Sequence, residues 1–336
     1  MNYKDGKDIY VFIEQRNGII QDVSYELISE ARNLVDSRPK LNFEVVGVLL
    51  GYKVLNEAEK LIHYGADKVI VCDNIELQQF NTGKYTSVIT SVVEKYHPEA
   101  FLYGGSVIGR DLAPRVSARV NTGLTADATK IEFSNDEPNS KQLWITRPAF
   151  GGNLYATIIC PEHTPQMATI RPNVFEIGSI DVSKNGEIIE IEYSGTKEQK
   201  IEVLKRIEKQ KVKEDISKAK IIVSGGRGLS GCFEVLDEVA KSVGGVVGAS
   251  RAAVDQGIAH KEMQVGQTGK TVRPTIYLAC GISGAIQHTA GMDKSELIIA
   301  INNDINAPIF DVADVGIVGD AKAILPLLTQ TLNSNN

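Results

Sequence analysis

The sequence is poor in cysteine and contains no long apolar run. Cys72, Cys160, Cys232 and Cys280 lie 88, 72 and 48 residues apart, too far for a CxxC-type zinc site or a locally spaced iron–sulfur cluster. No apolar run approaches the ~18 residues of a membrane span, and the run Ile9–Ile13 is too short for a secretory signal peptide. We therefore expect a soluble, cytoplasmic protein with reduced thiols and no metal site.

Basic residues show no surplus either. Lysine and arginine number 36 against 42 aspartates and glutamates, which gives a net charge of −6. Nucleic-acid-binding proteins usually have a basic surplus, so we expect no nucleic-acid partner, and no membrane partner in the absence of a spanning run. The length of 336 residues suggests two domains, since one domain typically takes about 150 residues.

Short apolar runs alternate with segments of helical periodicity along the chain. Continuous apolar runs of this length are typical of strands buried on both faces of a parallel sheet. Their alternation with helices predicts an α/β fold with a doubly wound sheet. Strands are predicted at 9–13, 44–50, 68–73, 100–105, 155–160, 220–226, 275–281, 297–302 and 315–320, and helices at 24–35, 56–64, 82–96 and 111–120.

A segment dense in lysine and glutamate, 194–219, separates two parts of the chain. The preceding stretch, 187–193, alternates apolar and charged residues, which predicts an exposed strand that completes the first domain. We place the boundary near 205–215, with an N-terminal α/β domain at 1–207 and a second domain at 208–336. Such a charged segment is typical of a solvated linker or surface helix, although it can also serve as a partner contact.

Glycine is concentrated in the C-terminal third, in turns within 224–231, 243–255, 265–270 and 281–292. Glycine allows positive φ and lets a backbone approach a ligand closely, and helix N-termini attract phosphate. Turns aligned on the carboxyl ends of parallel strands would form a phosphate-binding crevice. The P-loop pattern is absent, and the GxGxxG pattern, which 226–231 matches, is weak when it stands alone, so no single turn is specific. Together the turns favour a dinucleotide-like cofactor.

Several polar residues lie within these turns. A hydrolase would pair Ser250 or Ser283 with His288, but no GxSxG motif precedes either serine. Arg251 alone could be an ordinary surface charge, and His288 alone a satisfied core histidine. The candidate hydrogen-bond donors are Arg227, Ser250, Arg251, Gln267, Thr268, Ser283 and His288.

Taken together and in order, these segments resemble the alpha subunits of electron-transferring flavoproteins. The resemblance rests on SGGRG, VGASRAAVD, QVGQTGKTVRPTIYLACGISGAIQHTAGM and IAINND with VADVGIVGD, over about 220–330. YGGSVIGRDLAPRVSARVNTGLTAD (103–127) and TRPAFGGN (146–153) extend it to the N-terminal part. It implies a Rossmann-like C-terminal domain that binds one FAD, and an N-terminal domain that packs on a homologous beta subunit. Such a heterodimer subunit is an electron carrier rather than a stand-alone enzyme.

The resemblance also implies roles for individual residues. It puts the Arg251 guanidinium beside the flavin ring, Thr268 near flavin N5 and His288 near O2. A cation beside the negative charge of reduced flavin favours the reduced form. The implied FAD-binding residues are Arg227, Ser250, Arg251, Gln264, Val265, Gly266, Gln267, Thr268, Ser283, Gly284, Ala285, Ile286, Gln287, His288, Asn302, Asp320 and Ala321.

These residues divide along the cofactor according to the same resemblance. Ser250 and Gln267 would hydrogen-bond the ring system, as would Thr268. The segment Ser283 to Gln287 would surround the pyrophosphate and ribityl chain. The remaining positions, Arg227, Asn302 and Asp320, match residues around the phosphate and adenosine end.

Three motifs, NTGLTAD, PAFGGN and PQMATIRP, resemble the bifurcating, anaerobic branch of the family. This implies single-electron transfer between the beta subunit and an acyl-CoA dehydrogenase of butyryl-CoA type, with NADH and ferredoxin acting through the beta subunit. One alternative is a non-bifurcating shuttle from acyl-CoA dehydrogenases in fatty acid beta-oxidation. Others are a stand-alone Rossmann-like nucleotide-dependent oxidoreductase, and a regulatory FAD- or AMP-binding module.

Overall fold

The computed structural model describes residues 6–137, 139–149, 154–195 and 215–334. The chain divides into two compact units, 1–207 and 208–336. The domain boundary expected near 205–215, and most of the lysine- and glutamate-rich segment before it, lie outside the described residues. Within the described part, no helix has the length and apolarity needed to cross a membrane.

The first unit alternates strands and helices through most of its length. Its helices are α1 Asp22–Ser37, α2 Ala58–His63, α3 Thr82–Tyr96 and α4 Val107–Val120. Its strands are β1 Lys7–Ile13, β2 Gln15–Arg16, β3 Ile19–Ile20, β4 Val45–Gly51, β5 Lys68–Asp73, β6 Pro98–Gly104, β7 Leu124–Ala128, β8 Lys130–Phe133, β9 Leu143–Pro148, β10 Tyr155–Ile158, β11 Gln166–Ile170 and β12 Glu187–Glu190.

A seven-stranded parallel sheet forms the centre of this unit, in the order β12-β5-β4-β1-β6-β11-β7. Alternate residues of a strand face opposite sides of a sheet. Accordingly Ile9, Val11 and Ile13 of β1 pack in one core cluster, whereas Tyr10 and Phe12 pack in another. Both faces are therefore buried, and the predicted doubly wound parallel sheet is confirmed.

The prediction of a buried strand at 155–160 is wrong. Tyr155–Ile158 forms a strand that pairs antiparallel with β9 in a separate sheet, ordered β10-β9-β8. Tyr155 is 64% exposed, so the apolar run marks a surface strand. The next strand, β11, is fully buried, but it was not predicted because the polar residues Gln166 and Thr169 interrupt its apolar pattern.

Helix α4 begins four residues before the predicted start at 111. Ser106 caps its N-terminus, and the Ser106 side chain accepts a hydrogen bond from the backbone N–H of Gly109. A serine at this position satisfies one of the free N–H groups of the first turn, which starts the helix at Val107.

The second unit has the same alternation with shorter helices. Its strands are all parallel, in the order β14-β13-β15-β16-β17. The Rossmann-like α/β class predicted for this part is confirmed. Its strands are β13 Ile221–Gly225, β14 Val246–Ala249, β15 Ile276–Cys280, β16 Leu297–Asn302 and β17 Val315–Val318, and its helices are α5 Val235–Ser242, α6 Arg251–Asp255, α7 Ile286–Thr289 and α8 Ala321–Ser334.

The two faces of this sheet are covered differently. On one face Leu278 packs with Leu236 of α5 and Leu325 of α8. On the other face Tyr277 packs with Val265 and other apolar residues of the long connections between strands. Those connections also contain the glycine turns, so apolar packing against the sheet fixes the turns in place.

Candidate functional site

The order of strands in the second sheet reverses between β13 and β15. The chain runs from β13 outward to β14 and then returns to β15 on the other side of β13. In open parallel sheets, ligands bind outside the carboxyl ends of the strands at such a reversal. The topology therefore points to the residues that follow Gly225 and Cys280.

Glycines allow the two turns at this reversal to contact each other through their backbones. A Cβ added to Gly226 would lie 2.1 Å from the carbonyl oxygen of Gly281. The N–H of Gly226 donates to the carbonyl of Cys280 at 2.9 Å, and that of Gly228 donates to Gly281 at 3.3 Å. A larger residue at 226 would push the turns apart and deform the crevice.

Predicted site residues follow the carboxyl end of each of the five strands described in this unit. With neighbouring strands about 4.8 Å apart, five strands span roughly 19 Å. An elongated ligand fits such an edge better than a compact one. Across the sheet, the residues after the strand ends are Ser250 and Arg251 (β14), Arg227 (β13), Ser283 to His288 (β15), Asn302, the last residue of β16, and Asp320 and Ala321 (β17).

Ser250 and Arg251 start helix α6 directly after β14. The Ser250 hydroxyl accepts a hydrogen bond from the Ala253 N–H at 3.4 Å, and its own N–H donates to the Gly225 carbonyl at 2.9 Å. The side chain of Arg251 is 66% exposed and pairs with Asp255 one turn later at 3.3 Å. A guanidinium thus stands at the outer surface of this strand end, where a ligand can reach it.

The turn 264–270 lies against both β14 and the segment after β15. The Val265 N–H donates to the Ala249 carbonyl at 2.9 Å, and the Gln267 N–H donates to the Gln287 carbonyl at 2.7 Å. Gly266 has φ of +135°, and a Cβ there would meet the Gln287 carbonyl oxygen at 2.6 Å. The turn therefore needs glycine at 266, and it brings two distant sequence motifs to one place.

Gln264 orients Thr268 within this turn. Gln264 is 1% exposed, and its Nε2 donates to the Thr268 Oγ1 at 2.9 Å. Its Oε1 is buried with no hydrogen-bond partner in the described part of the chain. Because the Thr268 oxygen already accepts from Gln264, the Thr268 hydroxyl proton points elsewhere and can be donated to a ligand.

The segment Ser283 to Gln287 presents backbone groups at the reversal point. Gly284 has φ of +86°, and a Cβ there would lie 2.2 Å from the Ile309 backbone nitrogen. The side chains of Ser283 and Gln287 are exposed, as are Ala285 and Ile286 between them. An exposed, tightly fixed turn of this kind suits contacts from backbone N–H groups and a hydroxyl to an anionic group.

His288 differs from its neighbours because it is buried, at 6% exposure. Its Nε2 lies 3.0 Å from the Tyr277 hydroxyl, and its Nδ1 has no partner in hydrogen-bond geometry among the described residues. Burial lowers the pKa of His288 to about 4, although the backbone of Val265 acts in the opposite direction. The imidazole is therefore neutral at pH 7 and offers one N–H and one lone pair.

The two outer strands place their residues in different roles. Asn302 is buried and donates to the Ile282 carbonyl at 2.9 Å, which ties the end of β16 to the turn after β15. Asp320 is exposed and accepts from the Lys322 N–H at 2.9 Å at the start of α8. Ala321 is buried. Arg227, after β13, is exposed.

The structure thus places the predicted residues along one edge, but not all of them face outward. The side chains of Val265, Asn302 and Ala321 are buried within the unit, so they stabilise the turns of the site instead of facing a ligand. Sequence reasoning missed Tyr277, which lies on β15 and contacts His288. The available signal was a tyrosine hydroxyl inside an otherwise apolar strand, where a buried polar group usually needs a partner.

The corresponding reversal in the first unit is closed by the chain itself. There the chain leaves β1 for β4 and β5 and returns to β6 on the other side. Glu14, after β1, is 1% exposed and accepts hydrogen bonds from Arg16 and from Ser106 at the start of α4. A carboxylate at this helix N-terminus occupies the position that an anionic ligand would take.

Two clefts also lie in the first unit. One, of about 420 Å³, is lined by residues that include Glu30, Arg38 and Phe133. The other, of about 550 Å³, is lined by residues that include Glu59 and Lys184. Neither lies at a strand-order reversal, which is where ligands bind in open parallel sheets.

Comparison with known families matches both parts of the chain. Residues 9–195 match a family model described as the electron transfer flavoprotein domain, and residues 215–293 match the electron transfer flavoprotein FAD-binding domain. The chain belongs to the electron transfer flavoprotein alpha-subunit family. FAD is the cofactor of its second domain. Asn302, Asp320 and Ala321 lie beyond the matched range.

Relatives match over nearly their whole length. The chain is 51% identical to protein FixB of Clostridium saccharobutylicum, covering 98% of this chain and 97% of the relative. It is 46% identical to the electron transfer flavoprotein subunit alpha of Megasphaera elsdenii, covering 99% and 98%. It is 44% identical to the acryloyl-CoA reductase electron transfer subunit beta of Anaerotignum propionicum, covering 97% and 95%.

The residues at the edge of the second sheet fit FAD by their chemistry. Glycines 226, 266 and 284 stand where a Cβ would meet backbone, so the turns are fixed close to one another. The exposed side chains along the edge are donors of the type that flavin oxygens, flavin nitrogens and phosphates accept. They are Arg227, Arg251, Gln267, Thr268, Ser283 and Gln287.

Proposed function

We propose that this chain binds one FAD along the carboxyl edge of its second sheet and works as the alpha subunit of a heterodimer with a beta subunit. When bound, FAD supplies one-electron transfer chemistry. The observation that supports this most strongly is the alignment of predicted site residues after all five described parallel strands. The closed reversal in the first unit, filled by Glu14, supports a single FAD site in the second.

The flavin end of the proposed site lies beside β14 and the turn 264–270. Arg251 would stabilise negative charge on reduced flavin, since its guanidinium is a cation with a planar face that can stack on a ring. Thr268, with its oxygen already occupied by Gln264, would donate to flavin N5. Ser250 and Gln267 would add hydrogen bonds to the ring, and His288 would do so as a neutral group.

The phosphate end of the site extends from β15 to β17. The exposed turn Ser283 to Gln287 would receive the pyrophosphate, and Arg227 would add a cation. Asn302 and Asp320 would support the adenosine end, the first by fixing the Ile282 carbonyl and the second from the start of α8. This arrangement needs the length of the sheet edge and explains why the residues are so far apart in sequence.

The first unit is proposed to bind the beta subunit. Strand β10 and the residues that flank it expose apolar side chains, with Leu154 67% exposed, Tyr155 64% exposed and Ile159 52% exposed. Exposed apolar side chains that form a continuous patch usually mark an interaction surface, whereas isolated ones are common on any protein surface. A surface of this kind suits a permanent partner.

We further propose that the heterodimer passes single electrons between its beta subunit and an acyl-CoA dehydrogenase, of butyryl-CoA type, within NADH-dependent electron bifurcation. NADH and ferredoxin would then act through the beta subunit. The motifs NTGLTAD, PAFGGN and PQMATIRP support the bifurcating type. The name of the relative from Anaerotignum propionicum supports an acyl-CoA-linked partner. A non-bifurcating shuttle from acyl-CoA dehydrogenases is the alternative.

Co-expression with the neighbouring beta subunit tests the proposal. We expect a 1:1 heterodimer by light scattering, one FAD assigned to this chain, and flavin reduction by NADH. A stable alpha-only homodimer with full activity would contradict the heterodimer. Failure of NADH to reduce the flavins, with reduction by an acyl-CoA dehydrogenase intact, would favour the non-bifurcating shuttle.

A further inference from the structure

Tyr277 and His288 form a buried pair beneath the edge of the second sheet. Tyr277 lies on β15 at 0% exposure, and its hydroxyl is 3.0 Å from the His288 Nε2. Among the described residues, Tyr277 is the hydrogen-bond partner of the His288 ring at Nε2, and Nδ1 has no partner. The pair is therefore the main contact that fixes the ring.

The surroundings of the ring decide where its proton lies. A neutral imidazole has one N–H and one acceptor nitrogen, and a hydroxyl can pair with either. Nε2 is taken by Tyr277, which leaves Nδ1, without a partner among the described residues, as the nitrogen that can meet the flavin carbonyl of the proposed site. A carbonyl only accepts, so it favours the proton on Nδ1. Nε2 is then the acceptor, and the Tyr277 hydroxyl must donate to it.

Ser224 extends the same chain of polar groups. Its hydroxyl is fully buried with no hydrogen-bond partner among the described residues. Because Ile222 pairs with Tyr277 and Ser224 with Ala279, Ser224 is a diagonal neighbour of Tyr277 on the same face of the sheet. If the Tyr277 proton points to His288, the Ser224 proton can point to the Tyr277 oxygen. Ser224, Tyr277 and His288 then have one consistent set of proton positions.

We propose that Tyr277 is a positioning residue that holds His288 in the Nδ1–H tautomer, with Nε2 occupied by the tyrosine hydroxyl. This leaves Nδ1–H as the only donor that the ring can offer to a ligand. The inference rests on the proposed function: the flavin carbonyl favours the proton on Nδ1, and a fixed neutral donor at His288 stabilises charge on reduced flavin more than it stabilises oxidised flavin. Without Tyr277 the ring exchanges between tautomers and loses part of that preference.

Nitrogen-15 NMR of the full-length chain, with and without added FAD, tests the tautomer directly. His288→Gln identifies the His288 signals among those of the five histidines. We expect a pyrrole-like Nδ1 and a pyridine-like Nε2 in the wild-type protein. In Tyr277→Phe, we expect the two shifts to move toward each other, as in a mixture of tautomers. A pyridine-like Nδ1 in the wild type, or unchanged shifts in the variant, would overturn the proposal.

Tyr103→Phe is the matched control, because Tyr103 is also fully buried and its hydroxyl has no partner among the described residues. In the heterodimer, Tyr277→Phe should lower the preference for reduced over oxidised FAD by about tenfold, which is 59 mV for one electron. Tyr103→Phe should leave it unchanged. Altered His288 shifts with an unaltered potential would overturn the flavin role. An absence of FAD binding in the wild type would instead contradict the proposed function, while the NMR result still decides the tautomer.

Discussion

Gly284 and Ile309 approach so closely that no side chain fits between them. A Cβ on Gly284 would lie 2.2 Å from the Ile309 backbone nitrogen, and that nitrogen donates to the Ser283 carbonyl at 3.0 Å. Gly284 also has φ of +86°. The contact joins the turn after β15 to the segment after β16, and it fixes the stretch of backbone proposed to receive the pyrophosphate.

Gly284→Ala should therefore reduce both stability and FAD affinity. Overpacking typically costs about 1–3 kcal/mol and a positive φ about 1–2 kcal/mol, so we expect a loss of about 2–5 kcal/mol in the free energy of unfolding. Urea unfolding and FAD titration measure the two effects.

Gly231→Ala is the control for Gly284→Ala. Gly231 has a similar φ of +79°, but a Cβ there would meet nothing within 4 Å. We expect a loss of about 1 kcal/mol from backbone strain alone, with FAD affinity unchanged. Equal effects of the two substitutions would show that the contact with Ile309 has no importance.

Arg251→Ala should lower the reduction potential of bound FAD. A unit charge about 5 Å away at an effective dielectric of 20 contributes roughly 3 kcal/mol, or about 140 mV at 59 mV per tenfold. Because the side chain is 66% exposed, solvent screening reduces the expected shift to tens of millivolts, and about 140 mV is its upper bound. A redox titration of the heterodimer measures the shift.

The ion pair with Asp255 provides the control for Arg251. Asp255→Asn removes the partner at 3.3 Å and should leave the potential equal or slightly higher. Arg251→Lys should restore only part of the loss, since an ammonium lacks the planar guanidinium that stacks on a ring. An unchanged potential in Arg251→Ala would mean that Arg251 is an ordinary surface charge.

The sequence predicted β13, β15 and β16 of the second sheet well, but it missed β14, and β17, predicted as a buried strand, is exposed. The apolar runs before Gly226 and Gly281 are strands buried in all but their first residue, and the glycines that follow them signal turns. The strand at Tyr155 was misassigned because an apolar run on an exposed antiparallel sheet looks the same as a buried one. β11 was missed because it contains the polar Gln166. The Gln166 side chain can be buried because it accepts a hydrogen bond from the N–H of Leu143, a residue distant in sequence.

The Tyr277–His288 pair illustrates what pattern alone does not give. Each residue belongs to a segment that the sequence identified, but the 3.0 Å contact depends on how β15 and α7 pack in three dimensions. The same holds for Gln264 and Thr268, since a spacing of four residues outside a helix gives no contact by itself. The motif predicted which residues belong to the site, whereas the contacts that support them could be identified only from the fold.

Gln264→Met should weaken FAD binding about fivefold to tenfold, because it removes the donor that orients the Thr268 hydroxyl, a hydrogen bond worth about 1 kcal/mol. Stability should change little, since the substitution also removes a buried oxygen without a partner among the described residues. Thr268→Val should cause a similar loss. In the double variant the losses should not add, and FAD titration of all four proteins measures the coupling.

The pH dependence of stability should show the buried state of His288. Its pKa is about 4 in the folded chain and about 6.5 unfolded, so the unfolded state binds the proton first as pH falls. Stability should therefore decline between pH 6.5 and 4, by up to about 3 kcal/mol from this group. Chemical unfolding at several pH values measures the decline.

His288→Gln isolates this contribution from other groups. Burial raises the pKa of Glu26 to about 7, so Glu26 contributes in the opposite direction, and its stabilising effect is lost as pH rises through 7. Glu26 is the same in both proteins and cancels in the difference. The variant should have a flatter profile between pH 4 and 6.5, and parallel profiles would contradict a buried neutral histidine.

The central claim is that FAD binds along the carboxyl edge of the second sheet and not in the first unit. The most direct measurement is calorimetric titration of FAD into separately expressed fragments 1–207 and 208–336, each checked for folding by circular dichroism. We predict one FAD per fragment 208–336 and none on 1–207. A folded fragment 208–336 that binds no FAD, while 1–207 does, would contradict the claim.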